Sequence, residues 1–389
     1  MPSDRTFDIV LFGATGFTGR LAAEYLAGGG AGTARWAIAG RSLSKLGAIR
    51  EDLRRFGTAL PEMIAADVSD PESLLKMAAS ARVVLTTVGP YALHGEPVVA
   101  ACVAAGTDYV DITGEPSYVA SIIDRYDAAA REKKIRLVPC CGFDSIPHDL
   151  GAQFAVEQLP SDGPITVRAF VRAGGGVSGG TWASALNAFA NPRAVAGAIA
   201  TIVGEPNQPK RSVGALPLSM HREEIVDAWA VPLPTIDPAI VLRSANQLDE
   251  YGTKFLYGHF ARVKSFAVAV SGIAAIGGVV AGARIPAIRE KLLALRPSGE
   301  GPTPEQRRRG FFEVDFLAES GSGKHARVRV SGGEPGYHET SKMISESALC
   351  LALDRDVLPQ RYGVLTTAVA MGPVLRKRLV AAGLKFQIV

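Results

Sequence analysis

The chain has 389 residues, about 2.6 times the rough 150 residues of one domain, so two domains are expected. Hydrophobic residues make up 47% and charged residues 21%, which excludes disordered and collagen-like chains. The net charge of +4 is too small to imply a nucleic-acid partner, and no basic run exceeds Arg307-Arg308-Arg309. Four cysteines (Cys102, Cys140, Cys141 and Cys350), none in CxxC spacing, exclude a disulfide scaffold and read as reduced thiols of a cytoplasmic protein. Met1 to Arg5 carries no apolar leader before the first strand-like run, so a secreted product is not expected.

Strand and helix signals alternate through the first 140 residues or so. Phe7 to Phe12 is a short apolar run ending in Gly13, and a helix follows over Arg20 to Leu26, closed by Gly28-Gly29-Gly30. Trp36 to Ala39 is the second strand, with a helix around Leu43 to Phe56. Met63 to Ala66 is the third, after which Asp70-Pro71-Glu72-Ser73 opens a helix. Arg82 to Val88, Tyr109 to Ile112 and Ile135 to Val138 complete the series. Short apolar strands alternating with helices predict a parallel sheet covered on both faces, a doubly wound Rossmann domain over residues 1–145.

The pattern then changes. Pro164 to Val171, Phe311 to Leu317 and His325 to Val330 read as longer strands, the last two joined by the turn-rich Glu319 to Lys324. An α+β second domain containing an antiparallel sheet is expected over 146–335. Residues 336–389 read as helices packing back on the first domain.

Ser265 to Ala283 is a 19-residue stretch without a charge, between Lys264 and Arg284. It is rich in Ala, Val and Gly and has no Leu, so its tendency to span a bilayer is marginal despite its length. A basic amphipathic stretch, Ile285 to Leu295, follows. Two main readings stand: a buried core helix, or a patch over 265–296 that touches a membrane or lines a channel for a long acyl chain.

Gly13-Ala14-Thr15-Gly16-Phe17-Thr18-Gly19 joins the first strand to a helix. Glycines three residues apart let the chain turn, let a pyrophosphate approach the backbone, and let the helix pack closely on the sheet, with unpaired N–H groups at its tip. NAD-binding sheets place a carboxylate at the end of the second strand; here stand Gly40-Arg41-Ser42. Arg41 can grip a 2′-phosphate with a charged fork, with Ser42 adding a hydroxyl and Lys45 one turn on, so NADP(H) is favoured. Asp67, after the third strand, is placed either to meet the adenine or to cap a helix. Thr87-Val88-Gly89-Pro90 ends the fourth strand, where small residues let a nicotinamide ring approach the backbone.

GATGFTG, AGRSLSKL, TTVGPY, GTDYVDITGE and CCGFDSIPHDLG, in that order from Gly13 to Gly151, resemble the saccharopine dehydrogenase-like oxidoreductases. Gly179-Gly180-Thr181, Gly336-Tyr337 and GVLTTAVAMG resemble the trans-acting enoyl reductase branch of actinobacteria. The resemblance implies reduction of a double bond in a long polyketide or fatty-acyl intermediate of complex lipid biosynthesis, free or carrier-bound.

Hydride transfer needs groups that polarise the acceptor and supply a proton. No Tyr has a Lys four residues on, which excludes the short-chain dehydrogenase machinery. Candidate catalytic groups follow the strand ends: Tyr91 and His94 after the fourth, Thr113 and Glu115 after the fifth, Asp144 and Ser145 after the sixth. Each has a structural alternative, from packing (Tyr91) to surface placement (His94) to helix capping (Asp144 or Ser145). Gly174 to Gly180, before Thr181-Trp182, reads either as a helix tip facing substrate or as a junction. The six histidines show no ligand spacing, so no metal is expected, and no hydrolase is expected either. Two rivals are an imine-forming amino-acid dehydrogenase and a catalytically silent lipid-associated protein that keeps the cofactor fold.

Overall fold

The computed structural model describes residues 5–175, 179, 182, 186, 190–205, 211–295 and 301–389. It divides into two compact units, one of residues 1–143 with 336–383, the other of residues 144–335 with 384–389.

In the first unit, β1 (Phe7–Phe12), β2 (Trp36–Gly40), β3 (Glu62–Ala65), β4 (Ala81–Thr86), β5 (Asp108–Asp111) and β6 (Arg136–Val138) form a parallel sheet with a short strand Gly363–Val364. The order runs Gly363–Val364, β6, β5, β4, β1, β2, β3, with Ile9 of β1 level with both Trp36 and Val83. Every residue of β1 is buried, because helices cover both faces and leave no side that must be polar. These helices are α1 (Phe17–Tyr25), α2 (Leu43–Asp52), α3 (Pro71–Ser80), α4 (Tyr91–Ala105) and α5 (Pro116–Glu132). The order reverses between β1 and β4, and the crevice beyond the carboxyl ends of these two strands is where an open α/β sheet binds its ligand.

One feature of this unit lies outside the sequence reading: the strand Gly363–Val364 extends the sheet, pairing with Arg136 and Leu137. The helix Thr340–Leu353, buried along most of its length, packs against α1, β1, β4 and β5.

The second unit holds an eight-stranded sheet of β7 (Pro164–Gly174), β8 (Ser212–Ala215), β9 (His221–Glu223), β10 (Ala228–Pro232), β11 (Lys254–Val263), β12 (Phe311–Ser320), β13 (His325–Gly332) and the strand Lys385–Ile388. The expected hairpin is β12–β13, with Glu319 opposite His325. The sheet is mixed rather than antiparallel: β7 and β11 lie parallel at its centre, as do β8 and β11. A parallel pair needs a long crossover, and the chain between β7 and β11 carries the helices Pro192–Val203 and Asp237–Gln247. The helix α6 (Ile146–Val156) packs on β12 and β13. Phe170, Phe260, Leu317, Val226, Ala228 and Ala230 form one apolar cluster on this sheet.

One expectation needs correction: the tail is not wholly helical, since its last strand pairs with β13, Val330 opposite Phe386. Of the two readings of the apolar stretch, the buried core helix falls: it is a helix, Phe266–Ala283, of which only 11% is buried. Its buried residues are Ala269, Gly282 and Ala283, whereas Phe266, Val268, Val270, Ile273 and Ile276 are exposed. The helix Pro286–Ala294 after it buries none of its residues. All four cysteines are buried, and none forms a disulfide.

Candidate active site

The Gly13–Gly19 turn is built on sterics. Gly13 has φ +97, and a Cβ there would stand 2.8 Å from Val88 Cγ2 and 2.9 Å from Thr87 Oγ1. A Cβ on Gly19 would stand 2.1 Å from the Gly13 carbonyl oxygen, so α1 approaches the turn only because that side chain is absent. Thr87 Oγ1 donates to the Gly13 carbonyl at 3.2 Å and locks the turn to the end of β4. Gly16 is different. Its φ of −78 suits any residue, and the only heavy atom its Cβ would meet is the Gly13 oxygen at 3.4 Å. The protein's own packing therefore does not demand a glycine there, and the backbone is left bare where a phosphate would approach.

Gly16 is the N-cap of α1, supplies no side-chain cap, and is exposed beside exposed Thr15. The first turn of α1 contains no acidic residue, so the positive end of the helix stands uncompensated, with half-buried Thr18 in that turn. An anion fits this tip on charge and on space. Phe17 packs its ring edge-on against Tyr337, centroids 4.7 Å apart. That contact gives the Gly336-Tyr337 pair its place in the same unit as the glycine turn.

Arg41, at the end of β2, is exposed and makes no hydrogen bond or ion pair with any described residue. Ser42 caps α2, its hydroxyl accepting from the Lys45 amide at 3.4 Å, and Lys45 is exposed beside it. Asp67 is not a helix cap. Its Oδ1 accepts from the Ser69 amide at 2.9 Å and the Ser69 hydroxyl at 2.8 Å, while Asp70 caps α3. The Ser69 bonds, with a smaller contribution from the Arg41 charge, hold the Asp67 carboxyl below the usual range. Thr87 and Val88 are half-buried, and Gly89 and Pro90 are exposed at the mouth of β4. Glycine turn, Arg41, Asp67 and Thr87–Pro90 thus line one edge of one sheet, at the carboxyl ends of β1, β2, β3 and β4.

The catalytic candidates separate. Tyr91 is a core residue: its hydroxyl donates to the Thr86 carbonyl at 3.1 Å, accepts from the Ile112 amide at 3.4 Å, and burial pushes its pKa well up. Its single proton is thereby committed to a backbone carbonyl inside the core. Glu115 caps α4, its two carboxylate oxygens accepting from the Tyr91 and Ala92 amides at 2.9 and 3.0 Å, and the Thr113 hydroxyl accepts from the Glu115 amide at 3.1 Å. His94 remains. It lies in the first turn of α4, half-buried, and its ring makes no hydrogen bond with any described residue.

Asp144 and Ser145 belong to the second unit, at the entry to α6. Ser145 occupies the N-cap position without using its hydroxyl as a cap. Of the glycine-rich run before Trp182, residues 176–178, 180 and 181 lie outside the described residues.

Two polar centres were missed. Asp111, fully buried at the end of β5, accepts on Oδ1 from the Thr113 and Cys140 amides at 2.9 and 3.0 Å and on Oδ2 from the Tyr109 hydroxyl at 2.7 Å. Burial lifts its pKa to about 6 against those bonds. In the second unit, α6, the helix Asp237–Gln247 and β11 bring His148, Asp237 and His259 together out of water. Burial pushes both imidazoles down to about 3 and the Asp237 carboxyl up. Residues 148, 237 and 259 are too far apart in the chain for any spacing rule.

Fold and site define an oxidoreductase of the doubly wound, dinucleotide-dependent class, with an anion-binding helix tip and a cation where a 2′-phosphate would lie. Residues 9–138 match the family model described as the saccharopine dehydrogenase NADP-binding domain. A trans-acting enoyl reductase of Mycobacterium tuberculosis is 37% identical over 416 residues, covering 98% of this chain and 97% of its own. One of Mycobacterium ulcerans is 35% identical over 417 residues, with the same coverage. The solved saccharopine dehydrogenase (L-Glu forming) of Saccharomyces cerevisiae shares the fold, with a TM-score of 0.53 over 98% of this chain and 100% of that one, at 12% identity. The chain belongs to the saccharopine dehydrogenase-like oxidoreductases, in their trans-acting enoyl reductase branch, and its cofactor is NADP(H).

Proposed function

We propose that the protein reduces the activated C=C bond of an enoyl thioester on a long polyketide or fatty-acyl chain assembled by another enzyme. Full-length similarity to relatives named trans-acting enoyl reductases carries this reading. The coenzyme, when bound, supplies the hydride, which goes to the β-carbon, and a proton must then reach the α-carbon. Gly13–Gly19 and Arg41 bind and orient, Thr87 fixes the turn, and exposed Gly89 and Pro90 leave room at the reacting end. The imidazole of His94, half-buried in the first turn of α4, would hold and deliver that proton.

The exposed helix Phe266–Ala283 supports a further part of the proposal, that the protein works while resting on a membrane. Its apolar residues face outward, Lys264 and Arg284 flank it, and Arg289 and Lys291 follow on the next helix, the pattern that lies in an anionic lipid surface. An acyl substrate too greasy for water would be met there.

The test is NADPH consumption with carrier-bound or coenzyme-A-linked enoyl chains of increasing length, beside amino acid plus keto acid. Turnover that rises with chain length is expected. Turnover only with the amino-acid pair would establish an imine dehydrogenase, and NADPH binding without any consumption would establish a silent lipid-associated protein. His94→Asn should lower kcat at least tenfold with NADPH affinity unchanged.

A further inference from the structure

The second unit contains a convergence of buried donors that nothing in hydride transfer requires. Asp237 Oδ2 lies 3.6 Å from His259 Nε2 and 3.9 Å from His148 Nε2, and the three ligand atoms all fall within 4.8 Å of one another. The three side chains are 1 or 2% exposed. Both separations are too long for a hydrogen bond, so the carboxylate is not satisfied by the imidazoles directly. Tetrahedral bonds of about 2.0–2.1 Å hold ligand atoms roughly 3.3 Å apart, so the two separations from Asp237 would close by about 0.3 and 0.6 Å and the widest pair by up to roughly 1.5 Å, a movement that rotation of the two imidazoles can supply.

Charge and surroundings agree. The two histidines are the only ion-pair partners of Asp237 among the described residues, and no Lys or Arg balances it. An uncompensated carboxylate in a dry interior is strongly unfavourable. The Thr235 and Ser145 hydroxyls and the Asp237 amide pull the carboxyl down against its burial, but neither Asp237 Oδ1 nor the hydroxyl of fully buried Ser145 completes a hydrogen bond of good geometry among the described residues. Behind His259, the Tyr257 hydroxyl sits 3.2 Å from Nδ1. A proton on Nδ1, donated to Tyr257, leaves the Nε2 lone pair facing Asp237, which is how a ligating histidine is held.

The geometry points to a divalent transition-metal site, of the Zn²⁺ class, formed by His148 Nε2, Asp237 Oδ2 and His259 Nε2. Two imidazoles and a carboxylate are a borderline donor set that excludes Mg²⁺ and Ca²⁺, and the fourth position falls to Ser145 or water. The site ties three elements distant in sequence, α6, the helix Asp237–Gln247 and β11, which makes it a structural clasp of this unit. It is independent of the cofactor site, so it stands or falls apart from the proposed reaction.

The test uses the full chain, stripped with a chelator and titrated with Co²⁺ while visible absorption and melting temperature are followed. One Co²⁺ per chain is expected, with d–d bands of a tetrahedral site, a melting temperature several degrees higher, and displacement by Zn²⁺. His259→Asn and Asp237→Asn should lose at least about 100-fold in affinity, and Tyr257→Phe about tenfold. NADPH titration of each variant reports that the first unit is intact. If the ligand variants fail to fold, Tyr257→Phe decides alone. Absence of stoichiometric Co²⁺ or Zn²⁺ uptake by the wild-type chain, or uptake unchanged in Tyr257→Phe and every folded ligand variant, overturns the proposal.

Discussion

Gly16→Ala separates cofactor binding from folding. The backbone at Gly16 has φ −78, and its Cβ would meet only the Gly13 oxygen, at 3.4 Å, so an alanine enters without strain. Replacing Gly by Ala at a compatible backbone gains about 0.4–1 kcal/mol through the unfolded chain. Alanine is the poorer N-cap by a similar amount, so stability should change by less than about 1 kcal/mol. Binding should suffer far more, because the methyl group occupies the face a pyrophosphate approaches. Displacing the anion from one or two charge-assisted hydrogen bonds, at about 1.5–3 kcal/mol each, removes roughly 3 kcal/mol. At 1.4 kcal/mol per decade that is about a 100-fold loss of NADPH affinity. Fluorescence titration of NADPH beside thermal melts measures both quantities. An affinity within about threefold of wild type, at unchanged melting temperature, refutes the anion-binding helix tip. Gly19→Ala is the contrasting case: its Cβ would stand 2.1 Å from the same carbonyl oxygen, and both binding and stability should fall.

Arg41→Ala should weaken NADPH about 10- to 100-fold, the worth of one charged fork, and leave NADH within about threefold; equal losses would contradict the 2′-phosphate role. Asp111 has a pKa of about 6 in the folded chain, against about 3.8 otherwise, so the folded state holds its proton more tightly. Its contribution to stability is therefore largest below about pH 4 and is lost as pH rises through 6, by an order of 2–3 kcal/mol. Asp111→Asn keeps acceptors for the Thr113 and Cys140 amides and removes the titration. The wild-type-minus-variant difference in unfolding free energy should thus fall by that amount between pH 4 and 7, and a flat difference would show that the carboxyl stays ionised. Val268→Asp with Ile273→Asp, both at exposed positions, should abolish flotation with anionic vesicles without lowering the melting temperature by more than a few degrees; undiminished flotation would remove the membrane contact.

The first sheet was legible because its strands are short and apolar and its turns carry glycine, proline and aspartate at fixed offsets. Gly13 and Gly19 could be assigned steric roles from position alone, since the close approach of turn and helix decides them. Tyr91 could not: whether a tyrosine after a strand faces ligand or core depends on the Thr86 carbonyl and the Ile112 amide, 5 and 21 residues away. Asp67 has the same history in miniature, being claimed by Ser69 while Asp70 takes the cap. The parallel pairs at the centre of the second sheet were not legible, because β11 looks like any alternating strand until its partners are known. The burial of the apolar helix stayed open in the sequence because composition does not say whether a neighbour exists to cover it.

The chain passes from one unit to the other after residue 143, returns after 335, and leaves again after 383. No single cut in the gene yields two self-sufficient products. A fragment ending at 145 would keep the glycine turn but shed the helix Thr340–Leu353, exposing the faces of β1, β4 and β5 that it shields. Deleting the last six residues would strip the edge strand from a sheet whose other strands lie more than fifty residues upstream. Domain truncation, the usual first step in dissecting a two-part enzyme, would here produce sticky, partly uncovered proteins, so point substitutions in the intact polypeptide are the sound route.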